Sequence, residues 1–262
     1  MSDIVVSLKA EARWIVQDTT TMAWRNLVVT TRTPELLTFV TIQPIMFVLL
    51  FVYVFGGAIQ TGGSYTDFLM PGIIIQTVLF GTGQTGVGLA DDLSKGIVDR
   101  YRSLPMARSA VIAGRVLGDM ARNLFVVGVM LAVGLAIGFR FHGGVVGAIA
   151  LPFFAIGFSI SFHFMMAYFG ARSTSAESAN VASFLVIFPI TFLSSAFVPV
   201  ETMPGWLQPI AKANPMTYGV DTARALAQGG PITESLLLSI AWGIGITAVF
   251  APLAVYQYRK AS

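Results

Sequence analysis

Ionisable chemistry is scarce in this sequence: two histidines, 13 Asp or Glu and 16 Lys or Arg among 262 residues, with no cysteine. His163 has hydroxyls nearby at Ser159 and Ser161, and a Ser–His pair oriented by a carboxylate would be acyl-transfer machinery. The spacing does not supply it. Gly157-Phe-Ser159-Ile-Ser161 lacks the second glycine of a nucleophile elbow, and no His-Glu-x-x-His occurs. No carboxylates pair inside an apolar run, so neither a metal site nor an intramembrane enzyme is expected. His142 sits in a short turn after Arg140. A lone histidine in an apolar helix, such as His163, reads as an interhelical hydrogen-bonding residue. The Gly-x-x-x-x-Gly-Lys-Ser/Thr phosphate loop is absent as well, so the chain is not expected to hydrolyse nucleotide itself.

The apolar runs instead contain uncharged polarity. Gln43, Gln76, Thr82, Gln84 and Thr85, then Thr191, Ser194 and Ser195, could line a path for a largely apolar, weakly polar cargo or hydrogen-bond between helices. Gln43, Gln76, Gln84 and His163 are the candidates for that path. An ion- or proton-coupled transporter would place a charge near mid-membrane, where it costs about 2.5–3.5 kcal/mol. The central stretches hold no Asp, Glu, Lys or Arg. His163 is then the sole titratable candidate, and a secondary transporter or channel becomes the alternative reading.

Charges gather at the ends of the runs. Leu93, Ile97, Tyr101 and Leu104 recur at helical spacing, which predicts a short amphipathic helix over 92–105, stopped by Pro105. Lys95, Asp99 and Arg102 lie off its apolar face. Such a helix between two spans is a topological determinant or a docking surface for a cytoplasmic partner. Arg115, Asp119 and Arg122 follow at i, i+4 and i+7, spaced to pair along one stripe at the membrane boundary. Farther on, Pro204-Gly-Trp206-Leu and Asn214-Pro215 mark two short helices, the second passing Arg224 and ending at Gly229-Gly-Pro. They are too apolar to stand in water and are expected to dip into the outer leaflet, with Trp206 at headgroup depth.

The elements that position these residues follow from composition. The chain is 55% apolar and 11% charged, under half the roughly 25% charge of a soluble domain. Its mean hydropathy is +0.75. So few charges cannot cover a water-facing surface, and the class is integral membrane protein. A disordered chain and a disulfide-stapled domain are excluded, and a net charge of +3 is no nucleic-acid-binding patch. Six runs, near 39–59, 68–90, 117–139, 145–169, 180–200 and 235–258, reach the roughly 20 residues a spanning helix needs. Continuous runs of this length predict an all-α polytopic fold. Six is even, so both ends share a side. That side holds 13 of the 16 Lys and Arg, leaving Arg140, Lys212 and Arg224 opposite, which predicts cytoplasmic termini. The first 35 residues carry eight charges, so no cleavable signal is expected. Ile4, Leu8, Ile15 and Met22, with Trp14 and Trp24, predict an amphipathic interfacial helix over 1–33. Small residues in Gly81–Gly88, Gly134–Gly138 and Gly143–Gly147 are expected to serve close internal packing.

Three stretches in order carry a family resemblance: Tyr65-Thr-Asp-Phe-Leu-Met-Pro-Gly-Ile73; Lys95-Gly-Ile-Val-Asp-Arg-Tyr-Arg-Ser-Leu-Pro-Met106 with Gly114-Arg115 and Asp119; and Phe197-Val-Pro199 through Met203-Pro204-Gly-Trp206-Leu, Asn214-Pro215 and Arg224. On these residues the chain resembles the membrane permease of type-2 ABC exporters, of the daunorubicin/doxorubicin-resistance type, with 34–262 as the six-span domain. The resemblance implies a bacterial cytoplasmic-membrane subunit that pairs with a second permease copy or paralogue and binds two copies of a separate ATPase. ATP and Mg2+ would belong to that ATPase, with no cofactor in this chain. It implies export of a drug, lipid or glycolipid-like cargo from the cytoplasm or inner leaflet. The motor contact would fall on the interfacial helix and on Asp92, Lys95, Gly96, Asp99, Arg100, Arg102, Leu104 and Pro105. An outer gate would be built around Pro204, Trp206, Asn214, Pro215 and Arg224.

Overall fold

The computed structural model describes residues 17–28, 32, 34–57, 59, 63–97 and 108–260. Among them every regular element is helical. A first helix, α1, covers 17–28. α2 (Pro34–Leu49) runs on into a π-helical turn, Leu50–Phe55, and α3 (Tyr65–Ser94), α4 (Arg108–Ala136), α5 (Gly144–Arg172) and α6 (Ala176–Phe192) follow. Two short helices, α7 (Gln208–Ala213) and α8 (Pro215–Gln228), precede α9 (Thr233–Lys260). Four of these are long and apolar enough to cross a membrane: α3, α4 from Ile112, α5 and α9. Thr41–Phe55 and α6 are shorter apolar helices.

Side-chain contacts place the long helices in alternating directions between two ends of a bundle. At one end Asp92 of α3 meets Arg25 of α1 at 3.5 Å and Arg115 of α4 at 2.5 Å. Met22, Leu89, Ile112, Ala171 and Tyr258 pack there as one apolar cluster, drawing in the far ends of α5 and α9. At the other end the Arg140 N–H donates to Asp67 at 2.9 Å, His142 N–H donates to the Ala227 carbonyl at 2.8 Å, and Phe51 stacks on Phe197 at 4.5 Å. Residue 17 and residue 260 therefore lie at the same end, the one marked by Asp92.

α3 is the central helix, packed against α2, α4, α5, α6 and α8. Its most apolar stretch is 67% buried inside the protein, against 6% for α9. That difference explains the sequence of α3. A helix surrounded by protein can carry Gly, Thr and Gln at a mean hydropathy of 1.3, whereas α9 keeps 2.0 because its side chains face outward. The expected close-packing stripe serves this purpose. A Cβ on Gly170 would overlap the Gly86 carbonyl, so α3 and α5 touch backbone to backbone. Gly81 and Gly88 clear the way for Asn123 and Arg115 of α4. Gly143 and Gly147 receive the Leu226 carbonyl of α8.

Three boundaries differ from the sequence expectation. The helix of the second run does not end before a separate amphipathic helix at Asp92. It continues to Ser94, and Gly96, at φ 66°, turns the chain where no other residue type turns as easily. Residues 98–107, which hold the rest of the predicted 92–105 helix, lie outside the described residues, as do 1–16 of the interfacial helix. The first run becomes helix earlier than residue 39, at Pro34, and its helical part stops at Phe55. The fifth run was expected to reach 200, but α6 stops at Phe192. Its last carbonyls are taken by side chains: the Asn214 amide donates to Ile190 and Leu193 at 2.7 Å each, and Ser194 donates to Thr191 at 2.6 Å.

Candidate functional site

Three polar constellations sit along the axis of the bundle. The first is a cleft of about 300 Å3 between α2, α3 and α6. It gathers three of the four sequence candidates, Gln43, Gln76 and Gln84, and adds Thr77, Asn180 and Ser183. Phe47, Phe80 and Phe184 supply its apolar walls. The Gln76 carbonyl oxygen is buried and meets no donor among the described residues. A buried amide oxygen without a donor is costly, and this one lies in the wall of the cleft. From Phe184 a run of phenyl rings climbs α6 to the far end: Phe184–Phe188 at 4.9 Å, Phe188–Phe192 at 4.3 Å, Phe192–Phe197 at 5.1 Å. Sequence reasoning missed this ladder and missed Asn180. The signal was present as phenylalanines every fourth residue, 184, 188 and 192, with Asn180 one turn earlier on the same stripe.

His163 does not line the cleft. It is fully buried in a second constellation between α3, α4 and α5, where its Nδ1 lies 2.7 Å from the Thr85 hydroxyl. Thr85 in turn donates to the Asp119 carboxylate at 2.5 Å, and Arg122 pairs with the other oxygen of Asp119 at 2.9 Å and donates to the Gly81 carbonyl at 3.0 Å. The directions follow from the inventory of donors. Thr85 has a single proton and gives it to Asp119, so His163 must donate Nδ1–H to Thr85. Its Nε2 then carries a bare lone pair that meets no partner among the described residues.

Of the expected stripe this cluster keeps the Asp119–Arg122 pair and not the pairing of Arg115. Arg115 does not pair with Asp119 one turn along the same helix. It passes over Gly88 to Asp92, while Asp119 and Arg122 turn inward and are buried. This hydrogen-bonded ion pair lies in the first half of the apolar helix Ile112–Ala136, toward the Asp92 end. Asp92 is only 7% exposed beneath Arg25 and Arg115. Lys95, by contrast, is exposed and pairs with Asp91 at 2.7 Å, and Gly96 forms the turn beside it. Asp99, Arg100, Arg102, Leu104 and Pro105 lie outside the described residues. Among the described residues no three His, Asp or Glu side chains gather as metal ligands.

The third constellation is an arginine hub at the end opposite Asp92. Arg224 of α8 donates to the Phe68 carbonyl at 3.0 Å, to the Ser195 and Ala196 carbonyls at 2.5 and 3.1 Å, and to Asp221 at 3.2 Å. Its guanidinium lies 3.6 Å above the centre of the Phe68 ring. One side chain thus ties α8 to the start of α3 and to the chain leaving α6. Burial lowers the guanidinium to about 10, against the pull of Asp221, and burial lifts the Asp221 carboxyl, countered by Arg224 and the Ser195 hydroxyl. Asn214 caps α8 by accepting from Met216 N–H at 2.9 Å while its amide closes α6, and Pro215 takes the first turn of α8, where its missing N–H costs nothing. Gly229, at φ 81°, ends α8. Trp206 is 73% exposed beside Pro204, whose carbonyl accepts from Leu207 N–H at 2.8 Å.

The sequence profile of the ABC-2 type transporter family matches residues 17–227, which takes in all three constellations. The chain belongs to this family. It is the membrane permease subunit of an ABC exporter, a multi-pass membrane protein. Among relatives of this ABC-2 chain, the daunorubicin resistance ABC transporter permease protein DrrB1 of Streptomyces coeruleorubidus is 36% identical over 246 residues, covering 94% of this chain and 87% of that protein. The protein named probable doxorubicin resistance ABC transporter permease protein DrrC, of Mycobacterium tuberculosis, is 28% identical over 84% of this chain and 80% of its own length. The inner membrane transport permease YadH of Escherichia coli is 24% identical over 70% of this chain and 73% of its own length.

Proposed function

We propose that this ABC-2 permease exports a flat, weakly polar amphiphile from the cytoplasm or inner leaflet, driven by a separate ATPase bound at the Asp92 end. The carrying observation is the cleft, where amide groups of Gln43, Gln76, Gln84 and Asn180 alternate with phenyl faces and open onto a ladder of rings. Phenyl faces stack on planar aromatic cargo, and amides answer hydroxyls and carbonyls with either a donor or an acceptor. The names of the two drug-resistance relatives support the same class. The six apolar helices alternate in direction, which supports six spans with both termini on one side, and the excess of Lys and Arg at the Asp92 end makes that side cytoplasmic. The membrane is then the bacterial cytoplasmic one. A second permease copy or paralogue completes the path, and two ATPases carry ATP and Mg2+.

In this arrangement the ATPase grips the turn that begins at Lys95 and Gly96 and continues through Asp99, Arg100, Arg102, Leu104 and Pro105. Asp92 lies behind that surface and couples it to α1 and α4 through Arg25 and Arg115. The helices around Trp206, Pro215 and Arg224 close the outer end. The test is a double charge reversal, Asp99→Lys with Arg102→Glu, in the chain co-expressed with its ATPase. Insertion and yield stay native while ATP-dependent export falls at least tenfold. Native export by the reversed chain refutes this placement of the motor. Recovery of no nucleotide-binding partner with the solubilised chain, together with ATP-independent transport, refutes the exporter itself.

A further inference from the structure

With the cleft taken as the cargo site, as proposed above, we infer that Arg122 is a positioning residue for cargo: anchored on Asp119, it holds the Gly81 carbonyl and so fixes the α3 wall of the cleft. The same turns of α3 are engaged on two sides. Gln76, Thr77, Phe80, Gly83 and Gln84 line the cleft. Interleaved with them stand the groups that α4 takes hold of. The Asn123 amide donates to the Val78 carbonyl at 3.4 Å, Arg122 donates to the Gly81 carbonyl at 3.0 Å, and the Asp119 carboxylate accepts from the Thr85 hydroxyl at 2.5 Å. Gly81 belongs to both sides. It lines the cleft and, having no side chain, brings its backbone against α4, where a Cβ would overlap the Asn123 amide. The place of this backbone unit is set from α4 and felt in the cleft.

This stretch of α3 is also the one whose own helical preference is weakest. Four of the five glycines of α3 fall in it, at 81, 83, 86 and 88, and each gives up about 0.5–1 kcal/mol relative to alanine. Arg122 is itself held firmly. Its side chain is 3% exposed, with Nη1 on Asp119 at 2.9 Å and Nη2 on Gly81. Asp119 is steadied in turn by Thr85, whose hydroxyl accepts from His163 of α5. Stability alone does not call for a buried ion pair, which adds little over an apolar pair of the same shape. An apolar pair cannot hold a backbone carbonyl at a set distance. The planar fork does so with one edge while its other edge stays on Asp119.

The test is saturable, ATP-dependent uptake of a fluorescent planar aromatic amine into inverted vesicles holding the full chain with its ATPase. Arg122→Lys keeps the charge beside Asp119 and loses the fork. Asp119→Asn with Arg122→Met removes both charges, keeps an acceptor for Thr85, and decides the matter where the lysine variant assembles poorly. Each is expected to raise KM about tenfold, the size of one cargo hydrogen bond lost as a cleft amide shifts out of line, with kcat within about twofold of native. Leu151→Ala, at a fully buried position on α5 outside the cleft, controls for stability loss alone and should leave KM native. Native KM in the Arg122 variants, the same rise from Leu151→Ala, or a fall confined to kcat overturns the inference. Failure of both Arg122 variants to assemble overturns it as well, because the residue is then structural. The cleft reading is judged separately by Gln76→Leu with Gln84→Leu: slowed uptake there leaves the cleft standing whatever Arg122 does, and native uptake refutes the cleft and this inference with it.

Discussion

Replacing Arg224 by lysine keeps the positive charge and removes the fork, which isolates what the planar guanidinium does. In the native chain four acceptors on three segments converge on it, the Phe68, Ser195 and Ala196 carbonyls and Asp221, with the Phe68 ring beneath. An ammonium donates from one point and cannot reach α3 and the strand of chain after α6 together. Two of the four bonds are lost, at about 1–2 kcal/mol each for charged donors in a buried site, with part of the ring interaction. The expected cost is about 2–4 kcal/mol. Arg224→Ala leaves all three carbonyls without a donor and should cost about 4–6 kcal/mol. The Asp221 side chain adds little to that sum because it is 45% exposed and rehydrates. At roughly 2–4 °C per kcal/mol for a chain of this size, the lysine variant should melt about 5–10 °C lower and the alanine variant lower still. The assay is the fraction surviving as monodisperse protein on size exclusion after heating in detergent. Lys212→Ala, exposed and without a protein partner, serves as control and should melt within about 1 °C of the native chain. A lysine variant indistinguishable from native would refute the reasoning, since the hub would then not hold α8 in place.

Other outcomes follow from the same contacts. Gly170→Leu should prevent accumulation of folded protein, because any side chain there meets the Gly86 backbone, whereas Gly157→Ala, which faces open space, should express normally; equal yields would refute the α3–α5 contact. His163→Asn places an amide N–H where Nδ1–H donates to Thr85 and should retain most thermal stability, while His163→Leu, which leaves Thr85 without a donor, should lower it by about 1–3 kcal/mol, read in the same heating assay. Asp119→Asn leaves Arg122 charged and unpaired in the interior and should be the most damaging change in that cluster, at about 3–5 kcal/mol. Asp92→Asn should free the 17–28 helix for limited proteolysis, while Asp92→Glu, which keeps the charge facing Arg25 and Arg115, should retain most of the protection.

How much of this was legible in the sequence depends on whether the cause was local. The helix starting at Asn214-Pro215 and ending at Gly229 was readable because a cap, a first-turn proline and a left-handed glycine act within a few residues. The helical class and the end-to-end alternation followed from apolar run lengths. The end of α6 at Phe192 was not readable, since Leu193–Val200 continues the apolar run and the carbonyls are claimed by Asn214, more than twenty residues away. Helical spacing suggested Arg115 with Asp119, yet a carboxylate on another helix won, because Gly88 opens the route to Asp92. For the cleft, residue type was informative and grouping was not. Gln43, Gln76 and Gln84 converge while His163 faces the opposite side of α3, and which way each points is decided by the neighbours of α3 rather than by its own sequence.

The central claim is ATP-driven passage of a planar amphiphile through the amide-and-phenyl cleft. Its most direct measurement is uptake of a fluorescent planar aromatic amine into inverted vesicles holding this chain with its ATPase, for the native protein and for Gln76→Leu with Gln84→Leu. The account predicts uptake that requires ATP hydrolysis and survives collapse of the proton gradient, with the double variant assembled normally and at least tenfold slower. Uptake that persists without ATP and vanishes with the proton gradient, or native rates in the double variant, would contradict it.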